Sequence, residues 1–167
     1  MTLPLLSLDP GNTQTGWALV ERETFKPLVH GKDDNEWLID QIKYSEDFLS
    51  DGVVIEMVAS YGMPVGAEVF DTCVWIGRFW EASADRYGVP PSLAYRHPVK
   101  LHHCKSSKAN DATVKQALVD RFAKGESNYG KGTKALPGWF YGFKADVWSA
   151  YAIAVYHIDL ENETEQT

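Results

Sequence analysis

Two apolar runs deliver the chain directly into acidic residues. Leu3-Pro4-Leu5-Leu6-Ser7-Leu8 leads into Asp9-Pro10-Gly11-Asn12, and Val53-Val54-Ile55 leads into Glu56. A short apolar run closed by turn residues reads as a buried strand, and a β-branched run reads the same way. A carboxylate at the end of a buried strand is costly unless something compensates its charge. The chain must therefore fold so that these strand ends are paired, solvated or bound to a cation.

The rest of the chain alternates between the two periods. Thr15–Glu21 reads as a second strand, and Thr24–His30 as a third weakened by Pro27, so the first three strands form an antiparallel meander. Between Asp34 and Leu49, the residues Trp37, Leu38, Ile42, Phe48 and Leu49 fall at helical spacing, with Asp33 or Asp34 as the cap. Glu68–Tyr87 is a long helical pattern stopped by Pro90-Pro91, and Ser92–Tyr95 is a short strand. His97–Asn110 is polar and basic and reads as a loop. Asp111–Phe122 reads as a helix with Asp111 as N-cap, Glu126–Lys144 as a long loop, and Ala145–Leu160 as an apolar, alanine-rich helix. The order predicts an α/β domain over 1–160, a mixed sheet with helices on both faces, and an acidic, frayed tail at 161–167.

The net charge of −7 argues at first against an anionic partner, but the charge is segregated. Arg96 to Lys134 holds nine Lys/Arg against three acids, a net of +6, which leaves the remainder at −13. Such a stretch can neutralise phosphates in an acidic protein. No apolar run is long enough to span a bilayer, and Met1-Thr2-Leu3-Pro4 lacks a signal-peptide pattern, so the expected location is the cytoplasm. Cys73 and Cys104, outside any paired motif, read as free thiols. His102-His103-Cys104 lacks the spacing to wrap a zinc ion.

A third acid, Asp146, opens the last apolar helix. Two of the acids have ordinary explanations, Asp9 as a turn residue before Pro-Gly and Asp146 as a helix cap or a first-turn acid favoured by the helix dipole, whereas Glu56 after Val-Val-Ile is harder to dismiss. Together they suggest three carboxylates at one end of a sheet, where sites are built in open α/β folds. Oxygen-only ligands suit Mg²⁺ or Mn²⁺.

At these positions the sequence resembles the RuvC-type Holliday-junction resolvases of the RNase H-like superfamily. The resemblance rests on Leu6-Ser7-Leu8-Asp9-Pro10-Gly11-Asn12-Thr13-Gln14-Thr15-Gly16-Trp17-Ala18, on Val54-Ile55-Glu56, and on Ala145-Asp146 followed by the alanines through Ala154. The segment from Lys131-Gly132-Thr133-Lys134 to Gly138-Trp139-Phe140-Tyr141-Gly142 is similar to phage-encoded members, which would place the protein in a host cytoplasm. The resemblance implies an RNase H-like fold with a five-stranded sheet, three antiparallel strands then two parallel. It also implies a homodimer, two Mg²⁺ (or Mn²⁺) ions per site, and cleavage of four-way DNA junctions. One departure stands out. Where the family carries a second acid one turn after Asp146, this chain has Ser149, and Asp111 is the candidate substitute.

The expected metal ligands are Asp9, bridging, with Glu56 and Asp146; Ser149 and Asp111 are secondary. Lys108, with Lys105 and Lys115 as alternatives, would add positive charge at the scissile phosphate. Lys100, Lys105, Lys108, Lys115, Lys131, Lys134, Tyr61, Trp139 and Tyr141 form the expected DNA-contacting set, although the loop aromatics Trp139, Phe140, Tyr141 and Phe143 could instead pin their loop to the core. The Glu68–Tyr87 helix is a candidate dimer contact or part of the core. Competing readings are a flap or other branched-DNA or RNA-processing nuclease, a non-catalytic DNA-binding module favoured by Ser149, and a sugar-kinase-like phosphate loop, for which a second glycine-rich loop is missing.

Overall fold

The computed structural model describes residues 2–167. Five strands, β1 (Leu5–Pro10), β2 (Gln14–Val20), β3 (Pro27–Asp34), β4 (Gly52–Met57) and β5 (Ser92–Tyr95), form one sheet in the order β3-β2-β1-β4-β5. β1, β2 and β3 are antiparallel neighbours; β4 pairs parallel to β1 and β5 parallel to β4. The predicted mixed sheet is the observed one.

Side-chain alternation divides the sheet into two faces. Leu6, Leu8, Trp17, Leu19, Val53 and Ile55 pack against α1 (Asn35–Tyr44) and α2 (Ala67–Tyr87) through Leu38, Ile39, Ile42, Ile76 and Phe79. Leu5, Ala18, Val20 and Val54 pack against α5 (Ala145–Glu165), with α3 (Arg96–Cys104) and α4 (Asp111–Phe122) behind it. The fully buried Ala150 and Ala154, with the nearly buried Ala152, let α5 approach the sheet closely, and Tyr151 crosses the same core. The Tyr151 hydroxyl donates to the Phe25 carbonyl at 2.7 Å and accepts from the Trp139 indole at 3.2 Å, so its polar end is satisfied.

The structure corrects several boundaries. Residues 96–104 are a helix rather than a loop. Pro98 lies in its first turn, where its missing N–H has no partner to lose, and tertiary contacts outweigh its polar composition. Val99 is buried, His103 Nε2 bonds the Ala152 carbonyl at 2.7 Å, and His102 Nε2 lies 2.7 Å from Asp159. The N-cap of α4 is Asn110, not Asp111, through a reciprocal capping box with Thr113. At α1, Asp34 holds the cap position without a side-chain cap bond, and the helix ends at Tyr44, before a 3-10 turn over Glu46–Phe48. The third strand starts later than expected and reaches Asp34. Residues 161–165, expected as tail, continue α5. Both cysteines are free thiols, and among the described residues no helix is long and apolar enough to cross a membrane.

Candidate active site

The strand register assembles the site. In β1 and β2, Asp9 sits opposite Gly16; in β2 and β3, Gly16 sits opposite Lys32. In β1 and β4, Leu8 pairs with Ile55, which brings the next residues, Asp9 and Glu56, side by side, and Glu56 in turn pairs with Ala94 of β5. One row therefore reads Lys32, Gly16, Asp9, Glu56, Ala94 across the sheet. By alternation Asp9, Gly16 and Glu56 share the face that receives α5.

Helix α5 enters over Gly16. A Cβ there would lie 2.4 Å from the Asp146 carbonyl oxygen and 2.7 Å from the Asp146 Cβ. Only glycine admits the helix N-terminus this close, and the close approach places Asp146 above the acid row. The turn from β1 to β2 is fixed from below by Asn35. Its side-chain N–H donates to the Gly11 carbonyl at 2.9 Å, and its oxygen accepts from the Thr15 hydroxyl at 2.6 Å.

The three carboxylates interact. Burial pushes the Asp9 carboxyl well above its usual range, and the adjacent Glu56, through a side-chain hydrogen bond and its charge, and then Asp146 push it further; Arg96 opposes them. The two outer acids each hold a basic group from another element. Lys32 Nζ lies 2.5 Å from Asp146 Oδ2, and Arg96 Nε donates to Glu56 Oε1 at 3.1 Å. The hydrogen bond to Asp146 and its charge raise the Lys32 ammonium above its ordinary range. Among the described residues no three carboxylate, imidazole or thiol groups are already gathered into an ion cage. The two outer carboxylates are held instead in ion pairs with Lys32 and Arg96. The donor set nonetheless fits a hard divalent cation. It is all oxygen, and its buried central carboxyl has no basic partner at ion-pair distance among the described residues, so its ionised form would be relieved by a cation.

A cleft of about 360 Å³ opens beside the acids, between α3, α4, α5 and the 125–144 loop. Glu56, Asp146 and Ser149 line it together with Lys100, Lys115, Lys131, Lys144 and Asp111. Lys100 is paired with Asp111 at 3.1 Å. Lys115 lies over the rings of Tyr129 (4.5 Å) and Trp148 (5.2 Å), an arrangement that orients an ammonium without neutralising it. Asp9, Lys32, Arg96 and Asp146 line an adjoining pocket with the 10–14 turn.

The other expected residues lie elsewhere. Lys105 ends α3 and faces a different hollow, with His102, Arg121 and Asp159. Lys108 sits in a turn closed by its own N–H to Ser106 Oγ, and neither it nor Lys134 lines the cleft. Tyr61 is exposed in the loop after β4, and Tyr141 is partly exposed. Trp139 is occupied by the fold rather than open to a base: its ring stacks on Phe122 at 5.4 Å, while Phe140 and Phe143 are buried against Trp148 and Tyr151. Ser149 lines the cleft but is only 3.5 Å from its own helix's Ala145 carbonyl, and Asp111 stands on the opposite wall. Sequence reasoning missed Lys32, Gly16, Asn35 and the site role of Arg96. Lys32 and Gly16 gain their meaning from cross-strand register, which no local pattern encodes. Arg96 directly follows β5, and its place beside a strand end was the available signal.

Among solved structures, the chain is similar to Thermus thermophilus RuvC, with 19% identity, a TM-score of 0.68 and 96% of each chain covered. It is equally similar to T. thermophilus RuvC in complex with a Holliday junction substrate, with 16% identity, a TM-score of 0.67 and the same coverage. The chain has the RNase H-like fold of RuvC. No known family model matches the sequence, no curated protein matches it, and neither structural match supports a phage origin.

Proposed function

We propose that this protein is a divalent-metal-dependent endonuclease that cuts four-way DNA junctions. The observation that carries the reading is the convergence of Asp9, Glu56 and Asp146 at one end of the sheet, on a fold shared with RuvC, beside a cleft lined by four lysines. Asp9, central in the row, would be the ligand shared between ions, with Glu56 and Asp146 each completing one side. Bound Mg²⁺ or Mn²⁺ supplies an activated water and stabilises the leaving oxygen. Lys115 and Lys131 would hold the phosphodiester in the cleft, and Lys115, oriented by two rings, would take the phosphate-facing role expected of Lys108. Lys105, Lys108 and Lys134 would serve only flanking phosphates, and Tyr61 and Tyr141 are the aromatics free to stack on unpaired bases.

The deciding experiment incubates the protein with end-labelled four-way junction, flap and duplex DNA, with and without Mg²⁺ or Mn²⁺. Metal-dependent nicks in the junction alone support the proposal. Preference for the flap would move the assignment to another branched-DNA nuclease. Ser149, standing where a second acid would be, favours one other reading, a module that binds junctions without cutting them; retention without nicking in both metals is its signature.

Phosphate contacts, not the acids, should dominate affinity. Lys115→Ala and Lys131→Ala are each expected to weaken binding to every DNA tested and to lower the slope of log affinity against log salt by about 1. Unchanged slopes in fluorescence anisotropy would remove the cleft from the DNA path. Paired nicks across a junction need two sites, which fits a homodimer. On the outer face of α2, Phe70 is 62% and Val74 is 63% exposed. Val74→Glu should halve the mass seen in sedimentation and convert paired nicks to single ones.

A further inference from the structure

We infer that Lys32 is a built-in counter-ion that competes with the divalent cation for Asp146, so that the cation site closes only when this lysine is displaced. The inference rests on the metal-dependent reading above. It starts from the row on the sheet. Lys32 stands opposite Gly16, and Gly16 opposite Asp9, so the lysine reaches the acid cluster from the β3 side across a residue with no side chain. Its ammonium meets Asp146 Oδ2 at 2.5 Å, between β3 and the first turn of α5. No other basic group is paired with Asp146 among the described residues.

The pair has the properties of a displaceable contact. Both side chains are well exposed, 42% for Lys32 and 37% for Asp146. Exposed pairs are weak, and a lysine stem has the freedom to swing its charge into water. Helix α5 does not depend on the pair for its position, because Val147, Trp148 and Tyr151 hold it in the core. Arg96 occupies Glu56 in the same manner from the opposite side, which leaves Asp9 as the one cluster acid without a basic partner at ion-pair distance among the described residues. An ion entering at Asp9 therefore meets both outer carboxylates already engaged. Releasing Lys32 makes Asp146 Oδ2 available as a ligand beside Asp9 and frees an ammonium next to the site, where a DNA phosphate can take it up.

Displacement of a weak competing partner lowers apparent affinity by the fraction of protein in the competent state. Lys32→Met should therefore bind Mn²⁺ about three- to fivefold more tightly than the unmodified protein, since an exposed pair contributes up to about that factor. Isothermal titration with Mn²⁺ alone, without DNA, reads this directly. Lys32→Gln should behave like Lys32→Met, and Lys32→Arg should retain the original affinity. Asp9→Asn, titrated in parallel, separates the two levels of the argument. Binding lost in Asp9→Asn but unchanged or weakened in Lys32→Met and Lys32→Gln would overturn the counter-ion role while leaving the metal site intact. Lys32→Arg binding as tightly as Lys32→Met would overturn it too, because charge would not be the cause. Mn²⁺ bound equally well by Asp9→Asn would overturn the metal site and this inference together.

Discussion

Asp9→Asn is expected to lower junction cleavage by on the order of 10³-fold or more while raising the melting temperature near neutral pH. Both effects come from the same carboxyl. It is the central acid of the row, adjacent to Glu56, and burial, with Glu56 and Asp146 adding to it, pushes its pKa well above the usual range. The proposed cation-binding role would make its charge indispensable. In the metal-free protein, that charge opposes folding. The folded form holds the Asp9 proton more tightly than the unfolded chain, whose carboxyl titrates near 3.9. Below that pH both forms are protonated and no penalty arises. As the pH rises through the raised native value, the folded state is progressively destabilised relative to the unfolded one, and stability falls. Asparagine keeps the shape and does not titrate. The melting temperature of Asp9→Asn should exceed that of the unmodified protein at pH 7 by about 2–4 °C for each kcal/mol relieved, and the gap should shrink toward pH 4. Saturating Mn²⁺ should raise the melting temperature of the unmodified protein and leave Asp9→Asn unmoved. A variant that melts lower at pH 7 than its parent, or that still cuts junctions, would remove Asp9 from the centre of the site.

Gly16→Val is the second large effect, and it tests how the fold positions the chemistry. The new Cβ would meet the backbone of Asp146, with the carbonyl oxygen at 2.4 Å and the carbonyl carbon at 2.6 Å. Backbone atoms cannot rotate away as a side chain can, so the first turn of α5 must lift from β2. Overpacking of this kind costs about 1–3 kcal/mol. The lift also carries Asp146 away from Asp9 and Glu56, and a displacement near 1 Å in a catalytic group reduces rate by roughly 10²-fold. Thermal unfolding and single-turnover cleavage, measured well below the melting temperature, separate the two losses. A variant that loses stability alone would mean that the seat of α5 on β2 does not set the Asp146 geometry. Full activity at unchanged stability would contradict the close approach itself.

How much of this was legible beforehand can be judged residue by residue. The short apolar run over Leu5–Leu8 and the β-branched run over Val53–Ile55 identified buried strands, because a strand covered on both faces is apolar at successive positions whatever lies opposite. It also set Asp9 and Glu56 at strand ends. The alanines of α5 announced a helix packed tightly on something. The helix over 96–104 was not legible, since its stability comes from Val99 and from His102 and His103 meeting α5, contacts about fifty residues away in the chain. The loop aromatics show the same limit. Composition could not decide whether Trp139 faced DNA or Phe122; only the docked loop did.

By itself the sequence determined the five strands, the helices with an apolar stripe, and which acids stand at their ends, because those properties follow from periodicity over a few residues. The tertiary structure alone decided that Lys32, Gly16, Asp9 and Glu56 share one row, that Asp146 descends onto it, and that Lys115 rather than Lys108 enters the cleft. Register and helix docking are sums over many weak contacts between distant segments, and a one-residue slip between strands would send Lys32, Asp9 or Glu56 to the opposite face.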